Sequence, residues 1–274
     1  MIRGHRALFA ATLIALSTLA APAARAANFI LVNLDGAGEG FNDTTPVAPV
    51  GGNPGTTLGE QRLNVFNMAG TIWGQILSSP VTIRVEARFD ALTPCDSTSG
   101  VLGSAGALSQ LSNFSGAPIA NTWYSIALAN RLAGSDLQPG SNDISARFNS
   151  SVDNSTCLGA ASWYYGYDHN EGANIDLLAV VLHELGHGLG FQTFTTLSTG
   201  AFLGNVPDIY ARNLFDRTVG LRWDQMTNVQ RRNSSLNTGN LVWIGQAVNT
   251  NASQFLGAAT IVRVDSPAAI AGEK

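Results

Sequence analysis

His183 and His187 flank a glutamate, Glu184, inside an otherwise apolar run, LAVVLHELGHGLGF, that extends from Leu178 to Phe191. On a helix, positions four apart lie about 40° apart in rotation and about 6 Å apart along the axis, so both imidazoles can point at one ion. Glu184, about 100° round from His183, sits to the side, where a base acting on a metal-activated water is needed. These types at this spacing predict a zinc site with His183 and His187 as ligands and Glu184 as general base. The bland alternative, a chance arrangement on a core helix, is costly, because two imidazoles and a carboxylate are expensive to bury without partners or metal.

A catalytic Zn2+ takes three protein ligands and keeps one position open. The chain holds four histidines; His5 falls in the predicted export signal and His169 precedes the helix, where it reads as a surface residue. No glutamate lies between Glu184 and Glu273. Asp208, Asp216, Asp224 and Asp265 remain. Asp208 and Asp216 lie nearest after the glycine-rich helix end, and Asp208 is the preferred third ligand. Each also reads as a turn or strand-end residue.

His183 to Phe191 resembles the active helix of zincin metallopeptidases, and HELGHGLGF in particular is similar to the metzincin branch. The resemblance implies an α+β fold with a mixed twisted sheet above an active-site helix. It makes Gly190 the turning glycine and puts the third ligand at position 193, where this chain has Thr193. GNPGTTLGEQR and NIDLLAVVLHELGHGLGF further resemble secreted bacterial HExxH proteins that carry a protease-associated domain. Here such a domain is expected to be absent or barely begun at Ser266–Gly272. Family architecture also implies that a short strand ahead of the helix, Ile144–Asn149, pairs with extended substrate. Tyr210 is a candidate for stabilising an oxyanion, and Met226, in a polar helix-like run, is rejected as a Met-turn.

The elements that must position these groups are legible in part. Asn28–Asp35 reads as an opening strand, Gly36–Thr57 as a long irregular loop, and Leu58–Leu77 as a helix capped by Thr57 or Thr56. Val81–Phe89 alternates as a half-buried strand. From Ala91 to Asp143 the pattern loosens, with one helix predicted at Trp123–Leu132. The active helix is predicted to begin near Asn174–Asp176. Asp168, Asn170 and Asp176 fit a calcium loop poorly, since Ala173 occupies its turn-glycine position, and a solvated turn is preferred. Val206–Asp216 reads as a strand or an extended return, Trp223–Arg232 as helical with Asp224 as a cap, and Leu241–Ile244 and Thr260–Val264 as short strands.

Of 274 residues, 45% are hydrophobic and 12% charged, well below the usual quarter or so. A net charge of −4, with no Lys/Arg cluster, argues against a nucleic-acid partner. A basic start, an apolar run from Ala7 to Ala20 and the small residues at Ala24–Ala26 predict an export signal over 1–26. The run falls short of the roughly 20 residues a membrane span needs. The mature protein is therefore expected to be secreted or periplasmic, with one zincin-like domain over 27–265 and a tail over 266–274. An oxidising compartment favours a Cys95–Cys157 disulfide over metal or redox roles. Together these features predict a secreted zinc metalloendopeptidase acting on protein or peptide substrates. The alternative is a non-catalytic exported binding or surface module with a degenerate site, for which Thr193 speaks.

Overall fold

The computed structural model describes residues 25–255 and 262–264. The segment up to Ala24, where an export signal is predicted, Asp265 and the tail from Ser266 lie outside them. The chain opens with β1 (Phe29–Asn33), α1 (Leu58–Ile76) and β2 (Ile83–Asp90). Next come β3 (Gly103–Ala107), β4 (Gln110–Leu111), β5 (Tyr124–Ser125), α2 (Ile126–Ala133) and β6 (Ile144–Asn149). Short strands β7 (Trp163–Tyr164) and β8 (Ile175–Asp176) lead into α3 (Leu177–Leu189), the helix of the histidine pair. Beyond it lie α4 (Ile209–Arg212), β9 (Leu214–Asp216), β10 (Leu221–Arg222), α5 (Asn228–Ser234), β11 (Leu241–Trp243), α6 (Gln246–Phe255) and β12 (Val262–Arg263).

The fold is α+β with a mixed sheet, ordered β1-β2-β6-β3. The first three strands are parallel and β3 runs antiparallel to β6. Alternation in β2 turns Ile83, Val85, Ala87 and Phe89 inward, while Arg84 and Arg88 face water. Helices α1 and α3 touch each other and pack on the sheet, so Val65, Phe66 and Ala69 meet Leu177, Leu178, Val181 and Leu185 in one core with the inward strand residues. Thr57 caps α1 as expected. Its hydroxyl accepts from Glu60 N at 3.2 Å, and the Glu60 carboxylate accepts from Thr57 N at 3.2 Å.

Two expectations about the sheet are corrected. β6, predicted to receive extended substrate, is an inner strand whose backbone is already paired with β2 on one side and β3 on the other. Among the described residues, the open edge next to it belongs to β3, whose sequence GSAGA falls within the region read as loose loop.

The long loop at 36–57 is held by buried polar groups. Asn53, fully buried, donates to Gln61 O at 3.0 Å and Tyr165 O at 2.8 Å. Arg62, 4% exposed, donates to Gly40 O, Asp43, Asp153 and Tyr165 Oη with its guanidinium 4.3 Å from the Phe89 ring centroid. Cys95 and Cys157 are bonded, with Cα atoms 5.1 Å apart. The disulfide ties the β2–β3 connection to the segment that follows β6.

A second core gathers Ala211, Leu214, Trp223, Met226 and Leu241 beneath the antiparallel sheet β10-β9-β11-β12. Here too the reading is corrected. Trp223–Gln225 is a separate 3-10 turn, and α5 starts after it with Thr227, not Asp224, as its cap. Met226 is 5% exposed, a core residue rather than part of a polar helix. Among the described residues no helix is long and apolar enough to cross a membrane.

Candidate metal and hydrolytic site

Asp176 caps α3, accepting from Ala179 N at 3.3 Å, so the helix starts at the acidic end that the sequence predicts. Its apolar face is sealed by Leu177, Leu178, Val181 and Leu185. Trp73 Nε1 donates to Leu182 O at 3.2 Å, fixing α3 against α1. Gly188 lies so close to β6 that a Cβ there would stand 2.4 Å from Ile144 Cγ2. Gly190 ends the helix at φ 123°, a backbone that side chains rarely adopt, and Phe191 N donates back to Gly186 O at 3.0 Å. This is the sharp bend that the glycines predict.

The opposite face carries the histidines. His183 Nε2 and His187 Nε2 converge to 3.0 Å, with the rings nearly perpendicular at 87°. Two nitrogens each about 2.0–2.1 Å from one tetrahedral zinc lie about 3.3 Å apart, so the observed separation fits two ligands of one ion. His187 Nδ1 is 2.7 Å from Phe191 O. A carbonyl can only accept, so Nδ1 carries a proton, and in the neutral ring that leaves the lone pair on Nε2, the atom that faces His183. A hydrogen bond of this kind fixes the orientation of the ring. Glu184 is 8% exposed and faces β3, where a Cβ on Gly103 would come within 3.2 Å of Glu184 Cγ. The small side chains of β3 thus let its backbone lie close over the glutamate.

Asp208 is not gathered with the histidines. Among the described residues, no group of three or more His, Cys, Asp or Glu side chains is placed to hold a metal ion. Asp208 is 2% exposed and already engaged. Its Oδ2 accepts from the Thr193 hydroxyl and from Phe194 N, both at 2.8 Å, and its Oδ1 accepts from Ala211 N at 2.6 Å as the cap of α4. Thr193, the position where the resemblance puts a ligand, and Asp208, the preferred substitute, are therefore hydrogen-bonded to each other. Burial pushes the Asp208 carboxyl above the ordinary range, against the opposing pull of the hydrogen bonds from Ala211, Thr193 and Phe194. The Val206–Asp216 return is correspondingly a capped turn of helix followed by β9, not one extended strand.

The other aspartates are likewise committed. Asp216 is fully buried and accepts from Thr218 N at 2.8 Å and Val219 N at 3.1 Å in the β9–β10 turn. Asp224 pairs with Arg212 and Arg222, each at 2.9 Å. Asp265 lies outside the described residues. His169 is 69% exposed and pairs with Asp176 at 2.8 Å, in keeping with its surface reading. Asp168 is occupied by Tyr164 and Asn170.

Tyr210 stands in a feature that the sequence did not disclose. Its ring lies 6.1 Å from that of Phe191 and 5.0 Å from that of Trp243, and Phe191 stacks on Trp243 at 6.0 Å. Burial, with the Asp208 charge adding to it, pushes the Tyr210 phenol up to about 12. Compared with protein-family models, with curated proteins and with solved structures, the chain matches none.

Proposed function

We propose that this protein is a secreted zinc-dependent metalloendopeptidase of zincin type. The observation that carries the reading is the convergence of His183 and His187 Nε2 to 3.0 Å beside Glu184, with His187 Nδ1 anchored on Phe191 O. His183 and His187 are the residues that would hold Zn2+, which supplies an acidified water and polarises a peptide carbonyl. Glu184 accepts the proton of the attacking water and returns it to the departing amine. The open edge of β3, running over Glu184, offers backbone groups with which an extended peptide can pair. Asp208 contributes as a positioning residue that fixes the chain after the bend, and the third metal ligand is not assigned to it.

The test is Glu184→Gln. The variant is expected to retain zinc and stability while casein cleavage falls by a factor of about 1,000 or more, the combined weight of a lost general base and general acid. Cleavage equal to wild type would sink the mechanism. The second reading, a non-catalytic exported module, is favoured because, among the described residues, no group of three or more His, Cys, Asp or Glu side chains is placed to hold a metal ion. Metal analysis of the purified protein separates the two, since a module needs no zinc, or holds it with no exchangeable water.

A further inference from the structure

The geometry points to Phe191, Tyr210 and Trp243 as the wall of a substrate subsite that selects an aromatic side chain beside the scissile bond; this inference rests on the peptidase reading above. Three separate segments deliver the rings. Phe191 follows the helix bend, Tyr210 lies in α4, and Trp243 ends β11 opposite Leu214 of β9. The Asp208 carboxylate joins the first two segments, because it binds Phe194 N on one side and caps the turn holding Tyr210 on the other, and pairing of β11 with β9 brings up Trp243.

The wall is next to the chemistry. The carbonyl of Phe191 accepts from His187 Nδ1 at 2.7 Å, so the residue that presents the outermost ring also orients a proposed ligand. Phe191 is 57% exposed although its ring rests on two others. The Phe191 and Trp243 planes lie within 16° of parallel, and Tyr210 is tilted 54° against Trp243. An incoming aromatic ring can continue this arrangement in the offset or edge-on geometries that ring quadrupoles favour, whereas a small or anionic side chain cannot.

The occupant is argued to be a peptide because the strand edge and the wall meet. At one end of β3, Gly103 lies over Glu184, and farther along a Cβ on Gly106 would come 3.1 Å from Gln192 Oε1. Gln192 immediately follows Phe191. A peptide paired with β3 therefore runs from Glu184 toward the residue that adjoins the wall. Its alternate side chains project to one face, which would let one of them reach the rings.

The experiment uses the zinc-loaded protein and fluorogenic peptides of one fixed sequence, with Phe, Leu, Ala or Asp at each position flanking the cleaved bond. Wild type is expected to prefer Phe over Ala at one position by about tenfold or more in kcat/KM, and Phe191→Ala, at an exposed position, to reduce that preference to about twofold. Trp243→Ala, checked for folding by circular dichroism, should do the same. Cleavage with no aromatic preference, or a preference that survives both variants, overturns the subsite. If wild type cleaves no peptide, the peptidase reading fails, and a binding measurement decides the subsite. Glu184→Gln should bind an uncleaved Phe peptide more tightly than its Ala counterpart, with a change in indole fluorescence, and adding Phe191→Ala should remove the difference; equal binding overturns it. A solution dimer that Phe191→Ala dissociates also overturns it, because the rings would then face a second copy of the chain.

Discussion

Replacing Asp208 separates two roles that the same carboxylate could have. As a clamp it accepts three hydrogen bonds, from Thr193, Phe194 and Ala211. Asp208→Ala leaves the Phe194 and Ala211 amides without acceptors in a site that is 2% exposed in the parent. Each stranded donor costs about 1–3 kcal/mol, and the lost helix cap is part of that cost. Removing a buried carboxyl refunds some desolvation, so the expected net loss is about 3–4 kcal/mol. Asp208→Asn keeps the size and one acceptor oxygen, and is expected to lose about 1–3 kcal/mol. Urea unfolding followed by circular dichroism gives the stability, and zinc stoichiometry on the folded protein gives the metal. The clamp predicts lower stability with zinc retained in Asp208→Asn. Loss of zinc with stability within about 0.5 kcal/mol of wild type would refute it and restore Asp208 as the third ligand.

Gly188→Ala sets two effects against each other: the helix gains about 1 kcal/mol of propensity, but the new Cβ would stand 2.4 Å from Ile144 Cγ2. Overpacking of a core contact costs about 1–3 kcal/mol, so the variant should show a lower thermal midpoint, and an unchanged midpoint would mean that α3 does not rest on β6. For Tyr210, a phenol raised from 10.0 to about 12 in the folded protein loses its proton there only after the unfolded chain has done so. Its contribution to stability is intact below pH 10 and is lost as pH rises through about 12, by at most about 3 kcal/mol. Tyr164, Tyr165 and Tyr167 are raised as well, so absorbance at alkaline pH should show several tyrosines titrating late, and Tyr210→Phe should remove one of them and flatten the corresponding fall in stability.

The local features were written in the sequence because they depend on neighbours in the chain. Thr57 and Glu60 cap α1 across three residues, the alternation of Ile83, Val85 and Phe89 makes a strand one-sided, and Gly190 allows the bend that ends α3. The four-residue spacing of His183 and His187 set their convergence as soon as the segment became helical. β3 escaped notice because GSAGA has no apolar alternation; only its pairing with β6 makes it a strand, and only the absence of bulk lets it lie over Glu184. The substrate-pairing expectation for Ile144–Asn149 failed for the related reason that strand order is a property of the whole sheet. An edge and an inner strand can read alike.

Elimination among the aspartates narrowed the choice to side chains of the right chemistry, but not to their partners. Asp208 is met by Thr193 and Phe194, fifteen and fourteen residues away, and that meeting exists only after the chain has turned at Gly190 and come back to the start of α4. The Phe191, Tyr210 and Trp243 rings come from residues up to 52 positions apart, so no local pattern could have grouped them. The sequence alone determined the helix, its histidine pair and the placing of Glu184 beside them, since backbone periodicity sets all three. The tertiary structure decided which strand is open and which carboxylate is occupied, because those depend on which distant groups reach each backbone edge and each buried oxygen first.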